Sequence, residues 1–99
     1  MPKKDPDLQS LRKRFQVGKL YKLIGMDKPC YFWSEQGDKK LGPAIKSNDL
    51  IFFLKLERGL TIRGTFRIYA IFGENVGYFL LKRYEVFSAL LLVDFNNEQ

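Results

Sequence analysis

The 99-residue chain contains no histidine and only one cysteine, Cys30, and these two deficits exclude several kinds of chemistry. Histidine is the commonest general base near neutral pH and a frequent metal ligand, and a single thiol supports neither an internal disulfide nor a zinc cluster. The acidic residues are scattered along the chain, so no nucleophile–base pair is apparent. We therefore predict no enzymatic activity, no metal site and no cofactor, and we interpret Cys30 as a small core residue.

The chain also lacks a long hydrophobic run. Its longest apolar run is ALLLV at residues 89–93, whereas a helix that spans a bilayer needs about 20 apolar residues. No apolar segment of the secretory type stands at the amino terminus, and the single cysteine is typical of a reducing compartment. We expect a protein without membrane contact that works in the cytoplasm, or in the host cytoplasm if the protein is viral.

Positive charge exceeds negative charge, because 17 lysines and arginines stand against 11 aspartates and glutamates and give a formal net charge of +6. Half of this excess lies ahead of Phe15. In the same segment Leu8, Leu11 and Phe15 follow a helical spacing, and a preceding aspartate can cap a helix. Residues 1–16 are therefore predicted to form a basic arm that is either flexible or folded as a short helix.

The clearest structural pattern is a β-hairpin within residues 65–87. Apolar side chains alternate through Phe66, Ile68, Ala70 and Phe72, which places them on one face of a strand and predicts that they belong to the core. The segment 73–77 contains two glycines and an asparagine, which tolerate the backbone angles of a tight turn, and the apolar run that follows predicts the second strand.

The remaining segments predict further short strands and one long loop. Strands are indicated at residues 18–24, 30–34 and 50–57, with a loop rich in turn-forming and charged residues at 35–49. In the third of these strands, alternation groups Leu50, Phe52, Leu54 and Leu56 on one face. A last strand is predicted at 85–87, and residues 88–95 fit either a helical turn or another strand. Five or six short strands predict an all-β barrel or sandwich.

A few motifs resemble SH3 domains. Gly77, Tyr78 and Phe79, followed by Tyr84, are similar to the segment in which an SH3 chain leaves a hairpin, makes a 3₁₀ turn and enters its last strand. Leu20-Tyr21 and the stretch 48–51 are similar to the family's opening motif and to one of its strands. The resemblance implies a five- or six-stranded SH3-like small barrel at residues 17–87, between the arm at 1–16 and a short apolar carboxyl-terminal extension at 88–99.

The chain also departs from SH3 domains at positions that matter for their ligand. Leu80 stands where the family has a proline in its binding groove, and the loops after Leu20-Tyr21 are basic where the family's are acidic. A groove that holds a proline-rich peptide with its arginine needs those acidic residues, so we do not expect this ligand. The short basic chain and its apolar tail are similar in style to small accessory proteins of tailed phages.

Two functions remain open, and each has its own candidate residues. The first is a protein-interaction or structural module that binds a host or virion protein or a second copy of itself, through exposed aromatic side chains or the apolar tail at 89–95. The second is a nucleic-acid-binding barrel that stacks bases on aromatic rings and contacts phosphates with cations. No small-molecule substrate is indicated. The binding candidates are Tyr21, Tyr31, Trp33, Arg67, Tyr69 and Tyr78. The phosphate-contacting candidates are Arg12, Lys13, Arg14, Lys39, Lys40 and Arg63.

Overall fold

The computed structural model describes residues 6–59 and 64–93, which form one antiparallel sheet with two short helices. Within these ranges the elements are α1 (Pro6–Arg14), β1 (Leu20–Leu23), β2 (Trp33–Ser34), β3 (Leu50–Arg58), β4 (Thr65–Phe72), β5 (Asn75–Lys82), α2 (Arg83–Ala89) and β6 (Leu90–Leu92). The strand order across the sheet is β2-β5-β4-β3-β1-β6. The predicted all-β class is therefore confirmed in the coarser form of a mostly-β fold, with six strands in the two described ranges.

The prediction of a closed barrel is wrong, because the six strands form one open sheet. Strands β2 and β6 stand at its two edges, and among the strands of the described residues β2 pairs only with β5 and β6 only with β1. Closure would need hydrogen bonds between the two edge strands over a staggered register. Edge strands of two and three residues offer little backbone for that pairing.

The central hairpin agrees with the sequence prediction except at one glycine. Strands β4 and β5 pair continuously from Thr65 opposite Lys82 to Phe72 opposite Asn75. The connecting loop is Gly73-Glu74, and Gly73 has a φ of 60°, which glycine adopts without strain. The predicted turn at 73–77 is thus shorter, since Gly77 lies inside β5 opposite Ala70.

The core lies on one face of the sheet, here called the inner face. On β4 the predicted core residues Phe66, Ile68 and Ala70 are buried there, and Phe72 is partly buried against them. On β3 the sequence prediction of the faces was wrong, because the pairing register shifts between Phe53 and Lys55. A bulge reverses the alternation of side chains beyond it. Ile51, Phe53 and Leu56 consequently share the inner face, while Phe52 points to the other side.

From Pro6 to Arg14 the amino-terminal segment forms helix α1, which docks on the core. Leu11 of α1 is fully buried, and the Phe15 ring just after the helix packs at 5.7 Å from Tyr21 and 5.6 Å from Phe53 between ring centroids. Arg12 donates from Nε to the Leu56 carbonyl oxygen at 3.0 Å. A helix of nine residues is marginal in water by itself, so this docking stabilises it.

The carboxyl-terminal segment differs from its prediction. Residues 85–87 lie within helix α2 and do not form a strand, and the Lys82 backbone N–H donates to Glu85 Oε1 at 2.8 Å where the helix begins. Residues Leu90–Leu92 form β6, which pairs with β1. Of the apolar part of the predicted extension, Ala89 ends α2 and residues 90–92 join the sheet, while Val93 donates its backbone N–H to the Leu20 carbonyl oxygen at 2.9 Å. Phe95 lies outside the described residues.

The long connection between β1 and β3 is held by backbone hydrogen bonds. Cys30 and Ile45 form an isolated antiparallel bridge, and a second bridge joins Trp33 to Lys40. The predicted strand at 30–34 is reduced to Trp33–Ser34. In the described ranges neither helix combines the length and the apolar content needed to cross a bilayer.

Candidate functional site

The face of the sheet opposite the core, here called the outer face, carries a row of aromatic side chains. Trp33 lies opposite Tyr78, Tyr78 opposite Tyr69, and Tyr69 opposite Lys55, so the row crosses β2, β5, β4 and β3. Residues directly opposite each other in antiparallel strands point to the same face. The Tyr69 and Tyr78 rings have centroids 5.2 Å apart with planes inclined at 53°. We call Trp33, Tyr78 and Tyr69 the aromatic row.

Two cations lie against the centre of the aromatic row. Lys55 Nζ is 4.6 Å from the Tyr69 centroid, and Arg67 Cζ is 5.5 Å from the Tyr69 centroid and 5.9 Å from that of Tyr78. Arg67 is fixed by donating from Nη1 to Tyr69 Oη at 2.7 Å and from Nε to the Arg58 carbonyl oxygen at 3.0 Å. Tyr69 is only 7% exposed as a result. Each such cation–π contact is worth about 0.5–2 kcal/mol.

The β2 end of the row is more open. Tyr31 is 58% exposed, its ring meets Trp33 edge to face at 6.2 Å between centroids, and Lys40 Nζ lies 3.8 Å from the Tyr31 centroid. Lys40 is held there by its backbone bridge to Trp33. The turn between them packs closely on the row, since a Cβ added at Gly37 would lie 2.6 Å from Tyr78 Oη.

A second row on the outer face is apolar, and the sequence reasoning missed it. Val76 lies opposite Ile71, Ile71 opposite Phe52, and Phe52 opposite Leu20. Phe52 is 46% exposed, Val76 is also exposed, and the other two are partly exposed. We call these four residues the apolar row. Strict alternation grouped Phe52 with Leu56 as one apolar face, and no local signal in the sequence marks the bulge that separates them.

One further row completes the outer face beyond the apolar row. Leu50 of β3 lies opposite Lys22 of β1, and Lys22 lies opposite Leu91 of β6. Leu50 and Leu91 are exposed. The apolar row is therefore bordered by the aromatic row and Lys55 on one side and by Lys22 between two leucines on the other.

The structure brings together five of the six predicted binding residues. Tyr31, Trp33, Arg67, Tyr69 and Tyr78 share the outer face, at the aromatic row or against it. Tyr21 is separated from them, because it lies in the core at 2% exposure and its hydroxyl accepts a hydrogen bond from the Gln16 N–H at 2.9 Å.

The predicted phosphate-contacting residues do not converge on one surface. Lys40 joins the aromatic face and Lys39 is exposed in the adjoining turn. Arg12, Lys13 and Arg14 belong to α1, which packs on the core, and Arg12 forms an ion pair with Glu57 at 2.9 Å. Arg63 lies outside the described residues.

The lone thiol sits beside the sheet in a protected position. Cys30 Sγ lies 3.5 Å from the Leu80 carbonyl oxygen, and burial raises the pKa of the Cys30 thiol, which the Glu85 carboxylate raises further. Across residues 6–59 and 64–93, no group of three or more cysteines and carboxylates is placed to hold a metal ion.

The raised pKa predicts slow alkylation of Cys30. Because the thiolate is the reactive form, iodoacetamide should modify Cys30 more slowly than free glutathione near pH 8. In the Glu85→Gln variant the negative charge is lost, the thiol pKa falls and the rate at that pH should rise. A native protein that reacts as fast as glutathione would contradict the prediction.

The raised pKa of the Cys30 thiol also determines whether stability rises or falls with pH. A thiol pKa raised by folding means that the folded state holds the proton more tightly than the unfolded state. The contribution of Cys30 to the free energy of unfolding is thus fully present below the unfolded thiol's pKa and is lost as pH rises through the folded one. A Cys30→Ser variant should lose less stability over that alkaline range than the native protein does.

No protein-family model, curated protein or solved structure matches this chain. Function must therefore be inferred from the chain's own residues and their arrangement.

Proposed function

We propose that the protein is a non-enzymatic module that binds another protein through the outer face of its sheet. The observation that carries this proposal is the contiguous set of exposed apolar and aromatic side chains around Phe52 and Tyr78. Contiguous apolar patches rimmed by polar groups mark interaction surfaces on soluble proteins, and aromatic residues and arginine are enriched in such interfaces. Leu11 of α1 and Val86 and Ala89 of α2 belong to the core on the other face.

Two features favour a protein partner over a nucleic acid. Base stacking needs accessible ring faces, whereas the Tyr69 ring is already covered by Lys55 and Arg67. The apolar row offers no group that could neutralise a phosphate. Leu11 anchors the basic helix α1 in the core, and Arg12 of this helix is already paired with Glu57 at 2.9 Å.

Nucleic-acid binding is the second candidate, and one observation favours it. The exposed Tyr31 ring lies next to Trp33 and Lys40, which combines a stacking surface with a cation.

We propose in addition that the order of the strands along the chain is SH3-like, since β5 leads through the helix α2 into a last strand that pairs with the first. If the chain is a phage accessory protein, as the resemblance implies, the partner would be a host or virion protein in the host cytoplasm.

The test compares protein capture by surface variants. We expect the immobilised wild-type protein to retain a specific protein from a nuclease-treated extract of its native host, and the Phe52→Ser variant to retain about 10-fold less of it, as for loss of an interface anchor. Tyr84→Ser is the matched control, because Tyr84 is an exposed aromatic residue on α2. Equal thermal unfolding of the variants would show that all of them fold.

A titration with nucleic acid separates the two candidates. Labelled single- and double-stranded DNA and RNA are titrated at about 50 and 200 mM salt, where release of counterions weakens genuine phosphate contacts steeply. Salt-dependent binding that is lost in Tyr31→Ala and Lys40→Ala, together with capture that does not depend on Phe52, would replace the first proposal by the second.

A further inference from the structure

The apolar row has the dimensions of a short helix laid across the strands. Its four side chains, Val76, Ile71, Phe52 and Leu20, come from four adjacent strands. Neighbouring strands lie about 4.8 Å apart, so the row extends about 14 Å. The apolar stripe of an α-helix repeats about every 5.4 Å along its axis, and three turns extend about 16 Å. Successive turns of such a helix can therefore place one apolar side chain near each strand.

A partner can reach the apolar row only through its side chains, because the backbone groups of these strands are already paired with neighbouring strands. β5, β4, β3 and β1 are all internal strands, with a hydrogen-bonded neighbour on each side. An extended peptide that adds to a sheet needs a free strand edge for its backbone hydrogen bonds. The apolar row lies away from both edges, so its occupant has to satisfy its own backbone hydrogen bonds, as a helix does.

The positive charges beside the apolar row favour a partner that carries negative charge. Lys55 borders the apolar row on one side and Lys22 borders it on the other, whereas Arg67 lies one row farther away, opposite Glu57 and Leu80. The acidic residue at the corresponding end of β3, Glu57, is engaged by Arg12 at 2.9 Å. A cationic border attracts carboxylates and repels a second copy of the same face, because complementary potentials favour encounter and like charges disfavour it.

We infer that the outer face binds an acidic amphipathic helix of about three turns on a partner protein. The helix lies across β5, β4, β3 and β1, with its apolar stripe on Val76, Ile71, Phe52 and Leu20. Its flanking glutamates and aspartates meet Lys55 on one side and Lys22 on the other. This inference rests on the proposed function and names the class of partner for the same face.

The test uses designed peptides as probes. A fluorescein-labelled peptide of about 18 residues carries leucines at positions i, i+4, i+7 and i+11, glutamates beside them and alanines elsewhere. Its binding to the full-length protein is measured by fluorescence anisotropy. We expect a peptide with lysines in place of the glutamates to bind at least about 10-fold more weakly, since like charges then face each other.

Protein variants locate the binding surface. Phe52→Ser should weaken binding of the acidic peptide at least about 10-fold, as for loss of an interface anchor, whereas Tyr84→Ser on α2 should leave it unchanged. Lys55→Ala should weaken binding less and should reduce its dependence on salt, because it removes one charge from the border. Thermal unfolding of each variant verifies that it is folded.

Several results would overturn the inference. The inference is wrong if the lysine peptide binds as tightly as the acidic peptide, or if a peptide of the same composition with scattered leucines does so. It is also wrong if Phe52→Ser binds the acidic peptide as tightly as the wild-type protein does. A dimer of the free protein that Phe52→Ser dissociates would assign the face to a second copy. If the acidic peptide fails while capture of a host protein still depends on Phe52, the partner class is wrong and the proposed function stands. If both fail, the proposed function fails as well.

Discussion

Replacing Gly77 by alanine should destabilise the protein by about 3 kcal/mol, the upper part of the range for overpacking a tight site. A Cβ at Gly77 would overlap the carbonyl oxygen of Trp33 and would lie 3.0 Å from its carbonyl carbon. Both are backbone atoms of a paired strand, so relief requires β2 to move away from β5. Because β2 carries Trp33, the same change should disturb the β2 end of the aromatic row.

Two measurements check this prediction. Denaturant unfolding gives the free energy of unfolding, and the fluorescence of Trp33, the single tryptophan, reports whether β2 has moved toward solvent. Gly73→Ala is the control, since a Cβ there meets nothing within 4 Å but the φ of 60° is unfavourable for alanine, which costs about 1–2 kcal/mol. If Gly77→Ala costs no more than Gly73→Ala, the close approach of β2 to β5 is contradicted.

Replacing Leu11 by alanine should cost about 2–4 kcal/mol of stability, as expected for a buried leucine whose cavity cannot fully collapse. Leu11 is fully buried in the core although it belongs to a segment that the sequence allowed to be a flexible arm. Helix α1 depends on this docking, so the variant should also lose helical signal in circular dichroism before the sheet unfolds.

The control for Leu11 lies on the same helix. Ser10 is exposed, so Ser10→Ala should change the free energy of unfolding by no more than about 0.5 kcal/mol. A loss below about 1 kcal/mol in Leu11→Ala would show that α1 is not part of the cooperative fold, because full burial of a leucine side chain is worth more than that.

The two predictions bear differently on the proposed partner site. Gly77 supports the outer face directly, since β2 and β5 present Trp33 and Tyr78 side by side. Leu11 supports the inner face, and its loss should weaken the outer face only as far as it weakens the whole sheet. Comparing the two single variants, Gly77→Ala and Leu11→Ala, therefore separates damage to the outer face from damage to the core.

The candidate site was partly visible in the sequence. Period-two alternation in β4 placed Arg67 and Tyr69 away from the core residues Phe66 and Ile68, and the structure agrees. The same reasoning could not separate Tyr21 from Tyr31, because alternation groups side chains on faces without stating which face meets the core. Lys55 and Phe52 were missed for another reason, since the bulge between Phe53 and Lys55 depends on how β3 pairs with β4.

The sequence by itself determined the mostly-β class, the β4–β5 hairpin and the absence of histidine-based chemistry. These follow from local properties, namely alternation, turn-forming residues and composition. Only the tertiary structure decided that the sheet is open, that residues 90–92 become its edge strand, and that the apolar row assembles from four separate strands. Strand order and register arise from pairing between residues far apart in the chain, and local patterns of neighbouring residues do not predict that pairing.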